Sequence, residues 1–127
     1  MKIKDMLYIL LNRQNYWFKA KHEYVEFGSY SWMYCTRYGN FFNFYGGISS
    51  RDTGALEAWQ EKIFSAVIPE GLRPYDAVFP VMADRSENVG LQVKLYENGN
   101  IGLQTRFARV NGPDAGVYFV FHGMAVR

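Results

Sequence analysis

Two prolines five residues apart bracket a glycine in Ile68-Pro69-Glu70-Gly71-Leu72-Arg73-Pro74, and no other stretch limits the fold as strongly. Each proline fixes its own φ, lacks an N–H and biases the residue before it, Ile68 or Arg73, toward extended backbone. The segment therefore cannot lie inside a helix. It predicts a rigid elbow joining one apolar run to another. A turn between prolines satisfies its own carbonyls poorly. Arg73 is thus expected to donate to carbonyls within the fold rather than to a ligand.

The chain of 127 residues suffices for one domain with a single core. Phe, Trp and Tyr make up 18% of it, and 12 glycines accompany them, which favours strands and turns over helices. Net charge is +2, from 14 basic and 12 acidic residues that are well mixed, so no basic cluster marks a nucleic-acid partner. Cys35 stands alone, which excludes an intrachain disulfide. No Asn-x-Ser/Thr acceptor occurs. No apolar run approaches the ~18 residues of a spanning helix, so membrane insertion is not expected. Asp5, Asn12 and Arg13 interrupt the N-terminal apolar stretch, which does not read as a signal peptide.

Along the chain, Ile3, Met6, Leu7, Leu10 and Leu11 form a stripe at helical spacing. It predicts a short helix, packed on its own domain or paired with copies of itself. We place that stub at 1–14 and the main domain at 15–127. Ser31 to Tyr38 and Phe41 to Ile48 flank Gly39-Asn40 and predict a two-residue hairpin. Its register sets Tyr38 opposite Phe41, Tyr34 opposite Tyr45 and Cys35 opposite Phe44. One face then carries Met33, Cys35, Phe42, Phe44 and Ile48. The other carries Trp32, Tyr34, Tyr38, Phe41, Asn43 and Tyr45 and needs something to cover it. Residues 49–54 read as a loop. Residues 55–67 favour a helix by propensity, ended by Pro69. Ala77 to Ala83 read as a strand that Pro80 confines to an edge or a bulge. Leu91 to Leu95 and Ile101 to Phe107 predict a hairpin. A three-residue loop 98–100, with Asn100 left-handed, would set Leu95 opposite Leu103. Val117 to Val126 is apolar on both faces and reads as a central strand.

No chemical motif accompanies these elements. His22 and His122 are far apart and no ligand spacing exists, so no metal and no cofactor is expected. The hairpin register turns Cys35 inward, where a thiol is inert. Asp52, Glu57, Glu61, Asp84 and Glu87 are available carboxylates, but nothing pairs them across a bond, so no catalytic residue is assigned. The aromatic face is the best functional candidate. Sugar rings stack their C–H patches on aromatic faces while polar side chains fix the hydroxyls. Trp32, Tyr34, Tyr38 and Tyr45 would supply the faces, and Arg37, Asn43, Asp84 and Arg85 the hydrogen bonds. The competing reading is that these rings fill a space between sheets or subunits.

The elbow "IPEGLRP" resembles the Leu/Ile-Pro-x-Gly-Tyr/Phe-Arg-Pro signature of C-terminal head domains of bacteriophage tail-fibre and baseplate proteins. "WMYCTRYGNFFNFYGGI" (32–48) is similar to that family's Trp-x-Tyr-x-x-x-Gly-Asn hairpin with its Gly-rich end. "LYENGNIGLQ" (95–104) is similar to its later Asn-Gly-x-Ile strand pair. The three fall in the same order and spacing and span about residues 30–107. Leu72 departs where an aromatic is usual, and 55–67 departs where the family has a strand. The resemblance implies an all-β, jelly-roll-like antiparallel β-sandwich with a short N-terminal helix, assembled as a homotrimer. It implies a strand within 55–67. It also implies a non-catalytic receptor-binding role in the virion's tail, with bacterial cell-surface saccharide as ligand and sites often near subunit boundaries. A structural tail or capsid trimerisation module is the first alternative, and a polysaccharide-cleaving tail enzyme fragment the second.

Overall fold

The computed structural model describes residues 2–7, 20–83, 90–105 and 117–127. Eight strands form one antiparallel sheet: β1 Lys21–Phe27, β2 Ser31–Tyr38, β3 Phe41–Ser49, β4 Glu61–Phe64, β5 Ala77–Ala83, β6 Gln92–Leu95, β7 Ile101–Gln104 and β8 Tyr118–Val126. Their spatial order is β1-β2-β3-β8-β5-β6-β7-β4. The fold is therefore all-β, as composition and turn chemistry require. Residues 3–7 make a helical turn. The rest of the N-terminal stripe, Leu10 and Leu11, lies outside the described residues.

The two layers are halves of this one sheet, curled on itself. Phe27 of one edge strand and Phe64 of the other meet at 5.1 Å between ring centroids. Phe44 and Phe79 meet across β8 at 6.3 Å. That second contact depends on Gly123, paired with Phe44, because any side chain there would occupy the space of the Phe79 ring. The core between the layers holds Met33, Cys35, Phe42, Phe44, Ile48, Phe119 and Phe121 from one half. Phe79, Val93, Leu95, Ile101 and Leu103 come from the other.

The β2–β3 hairpin has the expected register: Tyr38 pairs with Phe41, Tyr34 with Tyr45 and Cys35 with Phe44. The two faces divide accordingly, with Met33, Cys35, Phe42, Phe44 and Ile48 buried and Tyr34, Tyr38, Phe41 and Tyr45 exposed. β8 is central, between β3 and β5. β5 changes partner at Pro80. Residues 77–80 pair with β6, and pairing with β8 begins at Val81 and shifts register before Ala83. The Val81 N–H donates to the Leu91 carbonyl at 3.2 Å. By alternation the missing donor of Pro80 faces the β8 side, where no ladder bond is required. The proline thus marks a bulge inside the sheet, not an edge.

Three local expectations change. Residues 49–54 are not a plain loop: Ser50–Thr53 forms a single helical turn, with the Ser49 hydroxyl accepting from Arg51 N–H. Residues 55–67 do not form the helix that propensity favours but hold a strand, as the resemblance implies. They carry the short strand β4, which pairs with β7. Left-handed residues on either side, Trp59 (φ 67°) and Ala66 (φ 52°), break any helical run. The Trp59 N–H donates to the Thr105 carbonyl (2.7 Å), and the Ala66 N–H to Asn100 Oδ1 (2.9 Å). Sheet pairing and these tertiary bonds override propensity.

The third change is the β6–β7 register. Leu95 pairs with Ile101 and Val93 with Leu103. The loop is 97–99, closed by Tyr96 N–H to Asn100 carbonyl (3.0 Å), and Gly99 takes the positive φ (93°) instead of Asn100. Glycine adopts that conformation without steric cost, so the loop moves by one residue at each end. The pairing moves by two, and the inward faces are unchanged.

The elbow 68–74 runs from the edge strand β4 back to β5 and plugs the gap between the layers. Ile68 and Leu72 are fully buried. The Ile68 N–H donates to the Gly99 carbonyl (2.9 Å) and the Leu72 N–H to the Pro69 carbonyl (3.1 Å). Arg73 Nε donates to the Ile68 carbonyl at 2.8 Å, as its position between prolines requires. Leu72→Ala is expected to lower stability by about 2–5 kcal/mol, through lost burial and a cavity the braced backbone cannot collapse into. Urea unfolding should show a lower midpoint with an unchanged slope.

Candidate functional site

The aromatic face is open. The outward rows of β1-β2-β3-β8 run Tyr24–Tyr34–Tyr45–His122 and His22–Thr36–Asn43–Met124. Beside them lie Glu26–Trp32–Gly47–Val120 and Tyr38–Phe41–Val126. Tyr34 is 53% exposed and Tyr45 45%. Val78 and Met82 extend the face onto β5.

The rings are coupled side by side. Tyr24 and Tyr34 lie 4.8 Å apart, Trp32 and Tyr34 5.9 Å, Trp32 and Tyr45 5.5 Å, and Tyr45 and His122 6.1 Å. The Trp32 indole lies across β3 at Gly47, where a Cβ would sit in van der Waals contact with it at 3.4 Å. Hydrogen bonds fix the two histidines. His122 Nε2 lies 2.9 Å from Asn43 Oδ1, which can only accept, so the nitrogen donates. His22 Nδ1 lies 3.1 Å from the Thr36 hydroxyl. A tilted, hydrogen-bonded array of this kind offers flat apolar surfaces with donors and acceptors between them.

At one end of the face, beside the β1–β2 turn, a shallow cleft of about 110 Å³ is lined by Tyr24, Glu26, Ser29, Tyr30, Ser31 and Trp32. Asp52, in the 50–53 turn, holds three of these residues in place. Its carboxylate accepts from Ser29 N–H (2.9 Å), Tyr30 N–H (3.0 Å) and the Ser31 hydroxyl (2.5 Å). Partial burial pushes this carboxyl up, but the bonds from Ser31, Ser29 and Tyr30 outweigh it and hold the group below the usual aspartate value of 3.8. Ser31 Oγ in turn accepts from Ser49 N–H (3.0 Å), and Ser50 Oγ accepts from Val117 N–H (3.0 Å). The cleft is thus a rigid product of turn packing. The Arg51 guanidinium sits 5.1 Å from the centre of the Tyr30 ring at its rim.

Of the residues assigned from sequence, Trp32, Tyr34, Tyr38, Asn43 and Tyr45 share this face. Arg37 does not. It follows Met33 and Cys35 in the strand alternation and emerges on the other side. There its Nε donates to the Gly39 carbonyl (2.6 Å) and Nη1 to the Gly71 carbonyl (3.0 Å), over the Phe42 ring. Asp84 and Arg85 lie outside the described residues. Tyr24, Glu26, Ser29 and Tyr30 were not assigned. Their signal was present in β1, where His22, Tyr24 and Glu26 alternate with the inward Glu23, Val25 and Phe27.

No cluster of three or more metal-ligating side chains occurs among the described residues. Cys35 is buried, and burial, with Glu23 nearby, pushes its thiol up to about 12, which leaves it protonated. Glu61 accepts from the Tyr96 hydroxyl (2.5 Å), so it and Asp52 are both engaged in holding the fold. No helix among the described residues is long and apolar enough to cross a membrane. No family model, curated protein or solved structure matches the chain.

Asp52→Asn should cost about 1–2 kcal/mol at neutral pH, by weakening three hydrogen bonds to a charged acceptor. The pH dependence has a definite sign. A carboxyl whose folded pKa is depressed stabilises the fold above its unfolded value and loses that contribution as pH falls through the folded one. Thermal unfolding should therefore show a gap between native and Asp52→Asn protein that is full above about pH 4 and closes in more acidic solution.

Proposed function

We propose that this chain is a non-catalytic, saccharide-binding head domain of a phage tail, acting as a homotrimer at the host surface. The observation that carries the reading is the open array of Trp32, Tyr34, Tyr38 and Tyr45, interleaved with Asn43 and the two histidines and ending in a cleft. A soluble chain exposes a contiguous face of this kind when something docks on it. Stacking geometry and interspersed hydrogen-bond groups suit pyranose rings. The elbow and the 95–104 strand pair, which carry part of the resemblance to jelly-roll-like phage head domains, are framework elements here, while the β2–β3 hairpin, which carries the rest, bears the rings. Weak affinity at one site would be multiplied by three copies.

The face also has an aliphatic side, and this favours trimerisation. Val78, Met82, Met124 and Val126 are exposed on β5 and β8, Met124 by 68% and Met82 by 62%. These side chains offer no ring for a sugar, and burying them against sister chains would remove them from water. A trimer built on that side leaves the aromatic strands β1–β3 beside a subunit boundary. A purely structural trimerisation module uses the same aliphatic side and leaves the aromatic side without a ligand. A polysaccharide-cleaving activity has less support, because Asp52 and Glu61 are occupied within the fold.

Two measurements test the reading. Light scattering should give three chain masses at micromolar concentration, and a stable monomer would overturn the trimer. Labelled protein should adsorb to host cells, and Tyr34→Ala should weaken adsorption about tenfold or more once three sites are lost together. A trimer that does not adsorb would favour the structural module.

A further inference from the structure

The outward face has an unusual charge pattern. Among the described outward positions of β1, β2, β3, β5 and β8, Glu26 is the single permanently charged side chain. No lysine or arginine points there. Those in the same strands, Lys21 and Arg37, lie on the opposite side and bond the elbow, to the Glu70 carbonyl (3.5 Å) and the Gly71 carbonyl (3.0 Å). Glu26 lines the cleft, the Asp52 carboxylate is taken up by the Ser29–Ser31 turn, and the Arg51 guanidinium lies over the Tyr30 ring.

We infer that the face takes uncharged sugar rings and excludes phosphorylated, sulfated or carboxylated polymers. This inference rests on the saccharide reading above and narrows its ligand class. An anionic polymer presents a charge on nearly every repeat. Recognising it needs cations that replace water around each charge, commonly arginine forks or lysines. Here the ring array offers none, and Glu26 repels an anion seated at the cleft. A neutral ring needs no counter-charge. It needs flat apolar contact and partners for its hydroxyls. Tyr34 and Tyr45 carry phenol O–H groups, and Asn43, with its oxygen taken by His122, has amide N–H donors. Glu26 accepts from ring hydroxyls or N–H groups and so favours hydroxyl-rich or amide-bearing sugars.

The test is tryptophan fluorescence and solid-phase binding of the whole protein against two probes, an N-acetylglucosamine tetramer and hyaluronan, at low and physiological salt. The tetramer should bind, and Trp32→Ala and the exposed Tyr34→Ala should each weaken it about tenfold. Hyaluronan should not bind at either salt. Glu26→Lys should gain salt-sensitive hyaluronan binding while its circular dichroism matches the native protein. Hyaluronan bound in preference to the tetramer by the native protein, with loss in Tyr34→Ala, would overturn the neutral-sugar inference and leave the saccharide reading standing. Neither probe bound, with no response in a panel of neutral and acidic glycans, would overturn both.

Discussion

The fold depends on how the elbow's carbonyls are satisfied. A backbone held between two prolines cannot bond to itself in a regular ladder, yet it anchors Ile68 and Leu72 in the interior while Glu70 and Gly71 stay at the surface. The carbonyls are met by long cationic side chains. Arg73 donates to Ile68, Lys21 to Glu70, Arg37 to Gly71, and Arg127 to Arg73. These donors come from the elbow itself, from β1, from β2 and from the C-terminal end. One irregular segment therefore ties both halves of the sheet and the last strand together. Replacing Arg73 would leave the partly buried Ile68 carbonyl without its partner, which costs more than the bond contributes when formed, whereas water can take the place of the other three donors at their exposed positions.

The same arrangement explains why the sheet curls. The β6–β7 turn presents the Gly99 carbonyl to Ile68, and the Arg73 guanidinium lies against Gly99 itself, where any side chain would displace it. The elbow is locked to the turn at one end and to β1 and β2 at the other. The edge strands are brought close enough for Phe27 to meet Phe64.

The parts of this fold that were legible in the sequence are those fixed by period and turn chemistry. Gly39-Asn40 set the β2–β3 register and with it both faces, because a slip of one residue would have turned Phe42 and Phe44 to water. Pro80 announced a bulge. The illegible parts are those decided by partners distant in sequence. The segment 55–67 has helix-forming residues, and only the unpaired edge of β7 makes Glu61–Phe64 a strand. The helical turn at 50–53 is fixed by bonds to Val117 and to the 28–31 turn, neither visible locally. At the candidate site the hairpin half was legible from alternation. Arg37 was misassigned because its long side chain suggested a ligand, although its odd position placed it with Met33 and Cys35. The cleft was missed because it needs β1, a turn and Asp52 together, from three separate stretches.

Alternation links the elbow to the open face. A strand has only two sides, and residues at successive positions must divide between them. Lys21 and Arg37 can reach the elbow only from the core-facing side of β1 and β2. The positions between them, 22, 24, 26, 32, 34 and 36, point away and cannot serve it. The fold thus turns Lys21 and Arg37 to the core-facing side, and the described outward positions of β1 and β2 keep rings, hydroxyls, an imidazole and the Glu26 carboxylate. The placing of Lys21 and Arg37 follows from where the elbow meets its donors, so a scaffold that keeps this elbow can vary the outward rings without disturbing its own support.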